Sequence, residues 1–283
     1  MPMSAYTNAL LPMISYPQPT LPAAIAGASE FAAALNLRLV GLDMQINPPV
    51  AVGFGAYTMP IVGTTIDAED AKTKANAEAI ARDFLSQTQR HGVNAELRRL
   101  SCDAIDAPGA ATEAARLFDL SIVPVAPQSR ADRDIAEAIV FGSGRPCLVL
   151  PHHRSAGLAL FDRPLIAWDA SRAATRALAD ALPLLKRANE AFLIVVAPEQ
   201  SPAMRSLPDV ERWLADHGVR VSSVRVEGTG KTAAAAIADH ASSINANLLV
   251  MGAFGHSRVR DFILGGVTQS MLAEPKLSIL FSH

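Results

Sequence analysis

Asn247-Leu-Leu-Val-Met-Gly252-Ala-Phe-Gly255-His256-Ser257 is an unbroken apolar run that ends in a glycine-punctuated turn, and nine residues separate Gly255 from a second cluster, Gly265-Gly266-Val267-Thr268. The run predicts a strand buried on both faces, as in a parallel sheet. Upstream of it, the alanine-rich stretch Lys231 to Asn245 predicts a helix, and Val219 to Val226 a strand. Earlier still come helix Leu207 to His217, strand Ala191 to Ala197, helix Ser171 to Asn189 and the apolar run Pro164-Leu-Ile-Ala-Trp-Asp169. Downstream, Ser257 to Leu272 is amphipathic, with a short helix over Val267 to Ala273, and Leu277 to Phe281 closes the series as a last strand. Alternating strands and helices in this order predict an open, mostly parallel sheet with helices on both faces.

The preceding half shows the same series less clearly. Strands are expected over Leu10 to Ser15, Leu37 to Met44, Asn94 to Leu100, Leu120 to Val125 and Cys147 to Leu150. Helices are expected over Leu21 to Leu35, Ala68 to His91 and Pro108 to Phe118, with a long Pro- and Gly-rich loop from Asn47 to Ile66. Asp119-Leu-Ser-Ile-Val-Pro-Val-Ala-Pro-Gln-Ser129 superposes on Asn247 to Ser257 with a spacing of about 128 residues, which marks a duplicated domain. The boundary is read in Pro151-His152-His153-Arg-Ser-Ala-Gly157, giving domains at 1–151 and 158–283.

With 25 Lys plus Arg against 27 Asp plus Glu, the formal net charge is −2, and half of the residues are hydrophobic. Such a chain can bury a large core, and its charge makes no case for nucleic acid or an anionic membrane as partner. The two cysteines, Cys102 and Cys147, have neither metal-knuckle spacing nor the density of a secreted scaffold, so a reducing cytoplasm is expected. No export signal and no long apolar run is read in the sequence.

Ligands of open parallel sheets bind beyond the carboxyl ends of the strands, where a glycine lets main-chain N–H groups approach phosphate oxygens. Gly252 and Gly255 occupy such a position, and Gly265-Gly266 opens the helix whose amides and dipole can receive the same anion. The pattern resembles the signature of the universal stress protein family: Gly-x-x-Gly, nine residues, then Gly-Ser or Gly-Thr before a closing strand. In element order the likeness covers the whole second half. One position departs from it, because Gly266 stands where a hydroxyl residue is expected, while Thr268 fills the following hydroxyl position.

The resemblance implies an adenine-nucleotide site for ATP, ADP or AMP, with Mg as a possible companion. Ala167 and Asp169 would frame adenine and ribose, Val195 or Val196 would lie beside the base, and Met251, Gly252, Gly255, His256, Ser257, Gly265, Gly266, Val267 and Thr268 would surround the phosphates. Asp169 can accept from a ribose hydroxyl or cap the following helix, and Trp168 can flank a base or belong to the core. The family likeness further implies two Rossmann-like five-stranded sheets packed as an intramolecular pseudo-dimer, with Leu148 to Leu150 beside Leu277 to Phe281, and possible homodimers beyond that. The function implied is a stress-response or signalling module with an unidentified protein partner. A slow ATPase or nucleotidyl-transfer enzyme and a scaffold without ligand are the alternatives. An enzyme would need a metal-holding carboxylate, for which Asp169 and Asp261 are candidates, and no catalytic residue is assigned.

The first half is expected to lack the site. Pro124 and Pro127 superpose on Gly252 and Gly255, and proline offers no N–H. Met13-Ile14-Ser15-Tyr16 has no acidic strand end, and Gly142-Ser143-Gly144 reads as a turn into the last strand. His152-His153 has no further ligand nearby at metal spacing and is read as linker.

Overall fold

Leu120–Val125 and Leu248–Gly252, the strands at matching points of the repeat, are buried on both faces apart from Gly252, because helices cover the sheet above and below. The structure, a computed structural model, describes residues 6–47, 59–152, 161–227, 232–253 and 266–283. Its first half runs β1 (Asn8–Ile14), α1 (Pro22–Leu35), β2 (Arg38–Asn47), α2 (Met59–Arg90), β3 (Ala95–Asp103), α3 (Ala107–Ala115), β4 (Leu120–Val125), α4 (Arg130–Gly142) and β5 (Cys147–Pro151). The second half runs β6 (Pro164–Ala167), α5 (Arg172–Leu185), β7 (Ala191–Val196), α6 (Pro202–Asp216), β8 (Val221–Val226), α7 (Ala233–Ser243), β9 (Leu248–Gly252), α8 (Gly266–Ala273) and β10 (Ser278–Ser282).

The ten strands form one sheet in the order β3-β2-β1-β4-β5-β10-β9-β6-β7-β8. Every pairing inside a half is parallel, and the halves meet through one antiparallel pairing, with Ile279 opposite Val149, Leu280 opposite Leu148 and Phe281 opposite Cys147. The two five-stranded sets are thus joined edge to edge by the closing strands.

Side chains alternate across the sheet and feed two core layers, each continuous through both halves. Leu11, Met13, Leu39, Leu148, Leu280, Leu193 and Val195 face α1, α2, α5 and α6. Leu10, Val40, Cys147, Phe281, Ile194 and Met251 face α3, α4, α7 and α8. Across the junction the rings of Phe31 and Phe161 meet edge to face at 5.6 Å, the Tyr6 hydroxyl donates to the Asp180 carbonyl, and Arg187 donates to the Ala34 carbonyl. Among the described residues no helix is long and apolar enough to cross a membrane.

The largest differences from the sequence expectation lie in three elements, while β2 and β3 each run three residues past their expected ends and α5 stops four residues before its own. α4 was not expected, although Ser129 caps it by accepting from the Asp132 N–H at 3.3 Å, and Ile135, Ala136, Ile139 and Val140 give it a buried stripe. α2 begins at Met59, inside the segment read as a loop, with Pro60 in its first turn where no N–H is needed. α6 begins at Pro202 instead of Leu207, with Ser201 as its cap.

Within each half the first strand lies between the second and the fourth, so that β6 sits between β7 and β9. Connections leaving such a strand diverge to opposite sides and open a crevice at its carboxyl end, which is the ligand position in sheets of this kind.

Candidate functional site

At the carboxyl ends of β6, β7 and β9 the structure contains a cavity of about 670 Å³. Its walls begin with Ala167, Trp168, Asp169 and Ala170 at the exit of β6. Here the chain turns sharply: Ala170 takes a left-handed φ of 60°, Asp169 Oδ1 accepts from the Ser171 N–H at 2.9 Å, and Ser171 Oγ accepts from the Ala174 N–H at 3.0 Å to start α5. Asp169 is therefore engaged in the turn that launches the helix, and it still borders the cavity. Trp168 is buried, donates its indole N–H to Ser206 Oγ at 2.9 Å and forms part of the wall, so core and cavity roles coincide.

The opposite walls come from Ile194, Val196, Ala197 and Pro198 of the β7 exit, Ser201, Pro202 and Ala203 of the α6 start, and Ala233 and Ile237 of α7. Met251 and Gly252 form the β9 edge, and Gly266, Val267 and Thr268 the first turn of α8. Of the residues expected at a nucleotide, Ala167, Asp169, Val196, Met251, Gly252, Gly266, Val267 and Thr268 come together here. Val195 does not: strand alternation turns it to the other face of β7, where it is fully buried against the α5 and α6 layer. Gly255, His256, Ser257, Gly265 and Asp261 lie outside the described residues. The sequence reading overlooked Ile194, Ser201 and Ile237, of which Ser201-Pro202 carried a helix-start signal.

Gly252 has a further reason to be glycine. A Cβ on it would lie 2.5 Å from the Ala173 carbonyl carbon and 2.9 Å from Ala173 Cβ, and closer still to the Ala174 nitrogen. The first turn of α5 thus presses on β9 at this point, and the glycine is a packing requirement. Phosphate approach was the expected reason. Its φ lies outside the left-handed region. Around Gly266, by contrast, no atom of the described residues lies within 4 Å of a built Cβ.

Asp169 is the only ionisable side chain in the described lining. Three helix starts border the cavity, those of α6, α7 and α8, and the turn Asp169–Ala170 that leads into α5 borders it as well; helix N-termini favour negative charge without a cationic side chain. Ser171, Ser201 and Thr232 satisfy N–H groups of α5, α6 and α7 at 3.0, 3.2 and 3.2 Å. Among the described residues no group of three His, Cys, Asp or Glu side chains stands close enough to hold a metal.

The first half departs at each corresponding point. Leu10 pairs with Val40 and Ser121 as Leu165 pairs with Phe192 and Leu249, so Ile14 corresponds to Asp169. Pro124, at the place of Gly252, lies within β4 opposite Leu150. The β1–β4 ladder has two paired positions where β6–β9 has four. His152, read from sequence as linker, is 5% exposed and packs into the structure beside Asp132.

Residues 161–281 match the model of the family described as Universal stress protein family. A universal stress protein from Archaeoglobus fulgidus resembles this chain with a TM-score of 0.69 at 19% identity, covering 98% of both chains. A functionally unknown protein from Pseudomonas aeruginosa resembles it with a TM-score of 0.57 at 14% identity, over 98% of this chain and 92% of that one. At such identities these likenesses speak for the fold. No curated protein matches the chain.

Proposed function

We propose that the second half of this chain, whose residues 161–281 match the model of the universal stress protein family, binds an adenine nucleotide and that the chain is a nucleotide-responsive stress or signalling module of the cytoplasm. The observation that carries this reading is the cavity of about 670 Å³ at the β6/β9 crossover, a volume suited to a nucleotide-sized ligand, ringed by helix starts. In this reading the base lies against Ala167, Ile194 and Val196, and the ribose lies near Asp169. The phosphates approach the first turn of α8, where among the described residues no atom crowds Gly266 and Thr268 contributes to the wall. Gly266 removes the hydroxyl that a terminal phosphate would use, so AMP and ADP fit the described residues at least as well as ATP. Mg²⁺ would arrive on the phosphates, because the described residues gather no ligand set of their own.

Calorimetric titration of the full chain with ATP, ADP, AMP and adenosine tests the proposal. One site per chain is expected, with stabilisation of roughly 2.7 kcal/mol at a hundredfold excess over Kd. Two equivalent sites would contradict the asymmetry of the halves, and no binding at millimolar concentration would leave a scaffold in place of a nucleotide module.

A further inference from the structure

In the second half the exit of β9 and the start of α8 border the cavity; in the first half the corresponding exit of β4 leads straight into α4. Ala126 occupies the repeat position between Pro124 and Pro127, the two residues that replace Gly252 and Gly255, and it keeps a main-chain N–H. That N–H donates to Asp132 Oδ2 at 3.0 Å. The Asp132 N–H in turn donates to Ser129 Oγ at 3.3 Å, which fixes the carboxylate within the first turn of a 13-residue helix, where the dipole favours an anion. Asp132 is 8% exposed and His152 is 5% exposed. His152 follows Pro151, the residue opposite Val125 in the β4–β5 ladder, and is thereby brought level with Ala126. Burial pushes the Asp132 carboxyl up from its ordinary pKa, and the Ala126 N–H, Ser129 and His152 draw it back.

An anion, an amide donor, a helix start and a basic side chain thus meet at the exit of β4, the strand that corresponds to β9. We propose that Asp132 is a built-in replacement for a ligand phosphate, an intramolecular ligand that keeps the first half permanently in its occupied arrangement and leaves nucleotide sensing to the second half. The proposal rests on the reading of the second half as a phosphate site for its analogy, although its geometry belongs to the first half alone. It also explains why two prolines are tolerated at the β4 exit: with the anion supplied by α4, the loop needs one free N–H, and Ala126 retains it.

The test is anion rescue in the full chain. Asp132→Ala is expected to lower the melting temperature by roughly 2–8 °C, the range for a lost helix-start interaction in a chain of this size. Inorganic phosphate, compared with chloride at equal ionic strength, is expected to restore part of that loss, beyond any rise it produces in the parent chain. Asp132→Asn keeps an oxygen for the Ala126 N–H and fills the space, so its response to phosphate should equal the parent's. If Asp132→Ala does not fold in chloride, the readout is its refolding yield in phosphate, which should recover. Equal phosphate responses of parent and Asp132→Ala, or failure to refold in both salts, overturns the proposal. Nucleotide titration of the parent separates this result from the reading of the second half, since a chain can bind nucleotide there whatever phosphate does at position 132.

Discussion

Gly252 lies directly against the backbone of Ala174: a Cβ built on the glycine falls 2.5 Å from the carbonyl carbon of the preceding Ala173 and nearer still to the Ala174 nitrogen. That nitrogen is already held by Ser171 Oγ at 3.0 Å, so the helix start cannot move aside without losing its cap. Gly252→Ala is therefore expected to destabilise the chain without any ligand, by about 3 kcal/mol or more, since the clash is with main chain and no rotamer relieves it. A melting temperature roughly 5–10 °C below the parent's checks this. An unchanged melting temperature would show that α5 and β9 have slack between them, and would return the glycine to a purely ligand-facing role.

Asp169 connects stability to binding. Its Oδ1 accepts from the Ser171 N–H at 2.9 Å, and its side chain borders the cavity. Asp169→Ala is expected to lower stability by about 1 kcal/mol through the lost hydrogen bond, and to weaken adenosine and AMP by similar factors, because its proposed partner is a ribose hydroxyl. Asp169→Asn keeps an acceptor oxygen and should restore most of the stability. Parallel melting and titration of both variants checks the division, and a loss confined to phosphorylated ligands would move Asp169 away from the ribose.

The junction between the halves is apolar and closed. Leu148, Val149, Ile279, Leu280 and Phe281 are all fully buried, and Leu280 faces Leu148 across the antiparallel pairing. Leu280→Ala removes a side chain from a core layer shared by both halves, and a cost of about 2–5 kcal/mol is expected. Because the layer is continuous, chemical denaturation of the variant should remain a single transition at lower denaturant. Separate transitions for the two halves would show that the shared core does not couple them.

The fold was legible because its inner strands β4, β5, β7, β9 and β10 are nearly uninterrupted apolar runs and its second-half helices carry alanine-rich or amphipathic spacing; β4, β7 and β9 fall within a residue of their expected limits. α4 was not expected from the sequence, although Ser129, Asp132 and the stripe from Ile135 to Val140 carry the signal of a capped amphipathic helix. At the site, spacing located Gly252 and Gly266 but not what each faces. Whether a glycine makes room for a ligand or for a neighbouring helix depends on α5, which is far from β9 in sequence. The choice between Val195 and Val196 was open in the sequence for a simpler reason: adjacent strand residues point to opposite faces, and only the two core layers decide that Val196 borders the cavity.

Asp43 offers a test that depends on no ligand. It sits in β2 within the layer covered by α1 and α2, its side chain is fully buried, and Arg99 Nε of β3 approaches its Oδ2 at 3.5 Å from a largely exposed position. Burial pushes its carboxyl above the usual carboxylate range, and Arg99 and then Gln45 draw it partly back. A carboxyl whose pKa is higher in the folded than in the unfolded chain binds its proton more tightly when folded. Its contribution to stability is complete below the unfolded pKa, near 4, and is lost as pH rises through the folded value. Asp43→Asn retains the shape and removes the buried charge, while Arg99 can turn to solvent. The variant is therefore expected to equal the parent in stability near pH 4 and to exceed it at pH 7, with a flatter dependence between. Urea denaturation of both chains across that range checks the sign. A variant less stable than the parent at pH 7 would mean that the Arg99 pairing outweighs burial and that Asp43 stabilises the sheet in its charged form.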